Sequence, residues 1–242
     1  MTADAMCNVS RNVYDSVSLV FGASGQIGAA CAAVLENAAE PVLRISRSGG
    51  EGCTSYDPFG PNSRPLNAIV SAPLKTVVWA QGANANDSLE DFDADRSLEL
   101  YKANCHYIAV TLHELLAADL IADGARLCIV SSVWQTVGRR NKLSYMMSKA
   151  AVQGLVLSAS LDLAERDIMV NAVLPGALDT PMTHKNLSSA QIAQVKGSTP
   201  FNRLPRVEDV AATVAFLCSP ANTSITGQFV AVDLGFRHAR LV

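Results

Sequence analysis

Three side chains of complementary chemistry stand at fixed spacing near the middle of this sequence. Ser132 precedes Tyr145 by thirteen positions, and Lys149 follows it by four. On a helix, residues four apart share a face, which puts the Tyr145 phenol and the Lys149 ammonium one turn apart. A free tyrosine has a pKa of about 10 and is a poor base at neutral pH. A neighbouring cation favours the phenolate, and a phenol so tuned exchanges a proton with an alcohol or carbonyl oxygen. Ser132 follows the apolar run Arg126-Leu-Cys-Ile-Val130, which reads as a buried strand. Its hydroxyl would emerge at the strand's carboxyl end, where open α/β sheets bind ligands. Tyr-x-x-x-Lys also arises by chance on amphipathic helices, so the trio takes its meaning from the elements that must position it.

From Ser16 onward, short β-branched runs alternate with longer helical stretches, the rhythm of βαβ units and a parallel sheet. Strands are expected at 16–21, 41–46, 53–56 (short), 76–80, 126–131, 168–174 and 228–233, about seven in all. The link between the second and third is too short for the usual crossover helix. Helices are expected at 29–39, 66–72, 144–166 and 207–218. Two more share 88–122 and meet near Asn104. Residues 177–203 form a polar, mixed segment without regular periodicity. Residues 1–15 read as an N-terminal extension before a single domain that runs from 16 to 242.

Gly22-Ala-Ser24-Gly25-Gln26-Ile27-Gly28 lies between the first strand and an alanine-rich helix. Small residues there allow close backbone approach, and a helix N-terminus offers N–H donors and positive potential to a pyrophosphate. Such a turn at the first βα junction favours nucleotide binding over a plain tight turn. Dinucleotide folds select their ribose partner at the end of the second strand. Here Ser46 and Arg47 occupy it, with no carboxylate to repel a 2′-phosphate and an arginine that can pair with one. NADP(H) is therefore favoured, with NAD(H) as the alternative and a merely solvated Arg47 as the plainer reading.

The composition narrows the classes further. The chain has 242 residues, 49% hydrophobic and 17% charged, with a net charge of −3, which suits one domain with a large core. That charge argues against nucleic-acid or membrane-surface partners. No apolar run nears the roughly 20 residues of a membrane span, and the polar start lacks a secretory h-region. Six cysteines (7, 31, 53, 105, 128 and 218) are scattered singly with no zinc spacing. They read as reduced apolar residues of a cytoplasmic protein, and no metal site is expected.

The ordered set resembles the short-chain dehydrogenase/reductase family from about Ser16 to Phe236. Besides Ser132, Tyr145, Lys149 and the glycine turn, Asn104 falls where the family has the fourth member of its catalytic tetrad. Asn171-Ala-Val-Leu-Pro175-Gly176, with Thr180, is similar to the segment bordering the nicotinamide. Thr226-Gly227-Gln … Val232-Asp233 is similar to the closing strand, and the tail is similar to that of 3-oxoacyl-carrier-protein reductases. The resemblance implies a Rossmann-type doubly wound sheet and an oxidoreductase of the carbonyl reductase or alcohol dehydrogenase kind. By the same resemblance, Tyr145 is general acid/base and Lys149 holds the nicotinamide ribose and lowers the tyrosine pKa. Ser132 orients the substrate oxygen, and the Asn104 backbone holds a water. Asp57 matches the adenine-contacting aspartate, and residues 177–203 match the mobile substrate lid.

Three departures stand out. The turn's Gly-x-x-Gly-x-x-Gly spacing looks like the sugar-nucleotide branch, although the chain is too short for that branch's added domain. Ala80-Gln81-Gly82 replaces the family's Asn-Ala-Gly, and Asp233-Leu234-Gly235 replaces Asp-Gly-Gly. The lid, with Met182, His184, Lys185, Asn186 and Phe201, shows no apolar stripe, which favours a small polar ketone or alcohol. Arg139, Arg140 and Lys142 either form a solvated basic loop or supply a partner for a substrate carboxylate or phosphate. His106 and His113 read as structural. The tyrosine-bearing helix is apolar around most of its circumference, and the family pairs such helices between subunits, so a homodimer or homotetramer is expected. A non-catalytic cofactor-binding sensor or scaffold, and a sugar-nucleotide epimerase or dehydratase, are the competing readings.

Overall fold

The computed structural model describes residues 17–38, 41–50, 52–61, 63–186 and 188–239. The expected extension over 1–15, Cys7 and the last residue of the first predicted helix lie outside them. The strands are β1 (Val17–Phe21), β2 (Val42–Ser46), β3 (Thr54–Ser55), β4 (Leu74–Trp79), β5 (Ile121–Val130), β6 (Met169–Pro175) and β7 (Phe229–Val232). They form one parallel sheet in the order β3-β2-β1-β4-β5-β6-β7. The chain starts in the middle, winds outward to β3, then returns to build β4 to β7. The direction reverses between β1 and β4, and a crevice opens beyond their carboxyl ends.

Successive side chains of a strand point to opposite faces, so a sheet covered on both sides needs strands apolar at every position. Leu19, Phe21, Val77, Trp79, Leu127 and Ile129 belong to the core on one face. The intervening Val20, Val78, Cys128 and Val130 belong to the core on the other. The first face carries α3 (Tyr107–Ala117) and α4 (Leu143–Asp162), with α2 (Ala94–Tyr101) beside α4. The second carries α1 (Gln26–Asn37) and α7 (Val207–Cys218). Cys31, Cys128 and Cys218, far apart in sequence, meet inside this second core, and burial pushes the Cys31 thiol up to about 12. They pack as apolar groups, as expected.

α2 passes into α3 through a π-helical stretch, Lys102–His106, which holds Asn104 where two helices were expected to meet. Widened turns of this kind often mark functional positions. The predicted helix at 66–72 is a single 3₁₀ turn, Leu66–Ala68. The lid contains two helices that its pattern had not suggested, α5 (Pro181–Asn186) and α6 (Ser189–Gly197). β2 and β3 run parallel without a helix between them, as their spacing required.

Candidate active site

Ser132 follows β5 and is almost fully buried. Its backbone is extended, and its Oγ accepts from the Trp134 N–H at 3.3 Å, which fixes the hydroxyl at the mouth of the sheet. Tyr145 lies in the first turn of α4, half-buried, with the Ser132 hydroxyl near enough to favour its phenolate. One turn on, the Lys149 Nζ stands 5.9 Å from the centre of the tyrosine ring and donates to the Val130 carbonyl at 3.4 Å. The fold therefore brings Ser132, Tyr145 and Lys149 together at the carboxyl end of β5.

Burial has the largest influence on both titrating groups. It pushes the Tyr145 phenol above its usual range, against the Ser132 hydroxyl and the nearby Arg139 charge, which pull it down. It also pulls the Lys149 ammonium down to about 8. Each group is thus held toward its neutral form.

Asn104 is fully buried and braces this cluster. Its Oδ1 accepts from the Ala83 N–H at 2.7 Å, while Nδ2 donates to the Ala83 carbonyl and to Ser148 Oγ, both at 2.9 Å. Ser148 Oγ in turn donates to the Tyr145 carbonyl at 2.7 Å. The side chain thus ties the loop after β4 to α4. Gly82 sits over the same spot, since a Cβ there would lie 2.8 Å from Asn104 Oδ1 and 3.5 Å from Lys149 Nζ.

The glycine turn occupies the crevice between β1 and β4. Gly22 has φ of +75°, and a Cβ on it would come within 2.5 Å of the Gln81 backbone nitrogen. Gly28 packs the first turn of α1 against Gly22, leaving no room for a methyl group. Ser24, Gly25 and Gln26 are exposed at the helix start, and no side chain caps it. Gln81 carries buried side-chain amide atoms with no partner among the described residues on either the oxygen or the nitrogen. A side-chain-free cradle, an uncapped helix start and an unsatisfied amide are what a dinucleotide would fill. The residues present fit such a cofactor.

The remaining expected residues end or follow β2, β3, β4 and β6. Ala80 donates to the Phe21 carbonyl at 3.0 Å, continuing the sheet into the loop. Ser46 is buried and spends its hydroxyl on the Gly49 carbonyl, whereas Arg47 is exposed and makes no ion pair among the described residues. Asp57 follows β3 and accepts from the Phe59 N–H at 3.0 Å. Across the sheet, Pro175 ends β6, a Cβ on Gly176 would lie 3.0 Å from the Asp233 Cβ, and Thr180 opens the lid with its hydroxyl against Thr183.

A cavity of about 90 Å³ lies between the β5–α4 loop, the lid and the C-terminal segment. Trp134, Ala177, Val195, Leu204, Pro205 and Phe236 make its wall mostly apolar, with Arg139, Thr199 and Asp233 as the polar members. Sequence reasoning missed Trp134, Leu204 and Phe236, which come from three separate segments. It also missed Asp87, whose carboxylate accepts the Ser144 N–H at 3.0 Å and receives a hydrogen bond from its hydroxyl, anchoring the start of α4. Of the basic loop, Arg140 is exposed, whereas Lys142 is buried and donates to Asn84 Oδ1 at 2.6 Å and the Ala85 carbonyl at 3.1 Å. His106 stacks between the Phe59 and Tyr101 rings, in the structural role expected of it.

A doubly wound parallel sheet, with a glycine turn at its switch point and a Ser-Tyr-Lys cluster one strand away, defines a Rossmann-type oxidoreductase. The chain belongs to the short-chain dehydrogenase/reductase family. The family model described as enoyl-(acyl carrier protein) reductase matches residues 72–237. The cis-4-hydroxycyclohexanecarboxylate dehydrogenase of Sinomonas cyclohexanicum is 41% identical over 243 residues, covering 92% of this chain and 96% of that one. The 3-oxoacyl-[acyl-carrier-protein] reductase FabG of Vibrio harveyi is 29% identical over 240 residues, covering 93% and 98%. A short-chain dehydrogenase family protein from Francisella tularensis subsp. tularensis SCHU S4 has the same fold, with a TM-score of 0.82, 22% identity and coverage of 93% and 100%.

Proposed function

We propose that this oxidoreductase interconverts a small ketone and its secondary alcohol with NADP(H), Tyr145 serving as general acid/base. The carrying observation is the gathering of Ser132, Tyr145 and the Lys149 ammonium at the carboxyl end of β5. The nicotinamide cofactor, when bound, supplies or accepts the hydride. The chain's own residues do the rest. Ser132 orients the substrate oxygen against Tyr145, which donates its proton in the reductive direction and recovers it in the oxidative one. Lys149 holds the nicotinamide ribose, and Asn104 keeps the loop after β4 against α4. Gly22, Ser24, Gly25, Gln26, Ile27 and Gly28 hold the pyrophosphate. Ser46, Arg47 and Asp57 line the adenosine end, and Ala80, Gln81, Gly82, Pro175, Gly176 and Thr180 line the rest.

The named reactions of the two relatives share an oxygen on a secondary carbon, and that shared chemistry is what we carry over. An exposed Arg47 beside Ser46, without an ion pair among the described residues, supports NADP(H) over NAD(H), because a guanidinium recognises a 2′-phosphate and no carboxylate repels it. Reduced, buried thiols accord with a cytoplasmic enzyme.

Cofactor oxidation across a ketone panel tests this reading. NADPH should be preferred, and Arg47→Ala should lower that preference about tenfold or more, the worth of one charge-assisted contact. An unchanged preference removes Arg47 from the site. Binding without turnover would point to a sensor, and redox-neutral turnover with retained cofactor to an epimerase.

A further inference from the structure

Among the described residues, Arg139 is the one cationic residue lining the cavity. Its backbone N–H donates to the Met146 thioether at 3.4 Å, and its guanidinium carbon stands 5.0 Å from the Trp134 ring centre. It makes no ion pair among the described residues. The other polar members of the wall are already engaged. The Asp233 carboxylate accepts the N–H groups of Gly235 and Arg237 at 2.9 and 3.1 Å. Thr199 Oγ1 lies 2.9 Å from both the Lys196 and Arg203 carbonyls. The Phe236 ring packs edge-on against Trp134 at 5.5 Å, giving the cavity a rigid aromatic side. A cation stacked on an aromatic face keeps its in-plane N–H groups free for a planar anion.

On the reading that Tyr145 reduces a ketone, we propose that Arg139 sets the substrate class: it holds a carboxylate at one end of a compact apolar ketone or alcohol, whose hydrocarbon body lies against Trp134 and Phe236. The reacting oxygen then points to Ser132 and Tyr145 at the other end. Arg139 also lies close enough to lower the Tyr145 phenol's pKa, so anion and phenol share its field. The polar segment of the lid is not what recognises the substrate; the loop between Ser132 and Tyr145 is.

Two matched ketones test this, 4-oxocyclohexanecarboxylate and its neutral carboxamide, which share a shape and differ in charge. Wild-type kcat/KM should favour the carboxylate about tenfold or more, as expected for a charge-assisted pair. Arg139→Met should remove that preference mainly through KM, the amide losing far less than the carboxylate. Arg139→Lys should restore part of it. Equal losses on both ketones, or no preference in wild type, overturns the assignment. A measurement without cofactor keeps the question separate from catalysis. Cyclohexanecarboxylate should alter the emission of Trp134, with a Trp134→Phe variant reporting the background of the buried Trp79. The amide should not do so, and the response should vanish in Arg139→Met. A charge-dependent response without turnover would leave Arg139 in place and sink the catalytic reading. Turnover of both ketones alike, or a response indifferent to charge, would sink Arg139 alone.

Discussion

Lys149 is nearly sealed from solvent, yet among the described residues its amine has only one long hydrogen bond, to Val130. Burial of a cation disfavours the charged form, and its pKa falls from 10.5 to about 8. The folded protein therefore holds fewer protons than the unfolded chain between these two values. The resulting penalty on stability is fully present below about pH 8 and fades as the pH rises toward 10.5. A Lys149→Met protein without cofactor should accordingly gain thermal stability at pH 7, and gain less at pH 10. Melting curves at the two pH values check this, and a gain independent of pH contradicts it. The Ser132–Tyr145–Lys149 grouping was legible because two of its members share one helix and the third closely follows β5. Lys142 was not. The sequence allows a solvated loop residue or a substrate partner, whereas Asn84 and Ala85, more than fifty positions away, bind and bury it.

The elements follow from periodicity wherever a strand is buried on both faces or a helix has one apolar side. β5 was read five residues short because Asp119, at φ of +52°, stops α3 early, and the strand then rejoins β4 with a shift of register. The lid helices have little amphipathic pattern to betray them. The visible signal was Ser188-x-x-Gln191, a capping box whose side chains and backbone hydrogen-bond reciprocally at the start of α6. At the first βα junction, glycine identity was as informative as strand pattern. A Cβ on Gly28 would lie 2.2 Å from the Gly22 carbonyl oxygen. Gly28→Ala should force α1 away from the turn, lowering stability by about 1–3 kcal/mol, the usual cost of overpacking. Cofactor affinity should drop with it. Calorimetric titration alongside melting would show both, and a variant that melts and binds like wild type would refute the close packing.

Across the whole molecule, apolar surface is left over where α2 and α4 lie side by side. Leu98 and Tyr101 on α2, and Met147, Leu157 and Leu161 on α4, are all exposed. Exposed apolar groups gathered on adjoining helices mark an association surface, and helices of this kind pair between subunits in the family the sequence resembles. We therefore expect a homodimer or homotetramer built on this face. Leu157→Glu combined with Leu161→Glu should reduce the mass seen by light scattering toward 25.6 kDa. An unchanged assembly would place the interface elsewhere. Among the described residues no helix is long and apolar enough to cross a membrane, in line with the short apolar runs of the sequence.

Replacing one oxygen atom probes the proposed chemistry most directly. Tyr145→Phe keeps the ring between Ser132 and Lys149 while removing the group that would carry the proton. Ketone reduction should fall about 10²–10⁴-fold, while cofactor affinity, measured by titration, stays within a few-fold of wild type. A variant that reduces the same ketone at the wild-type rate would contradict the account.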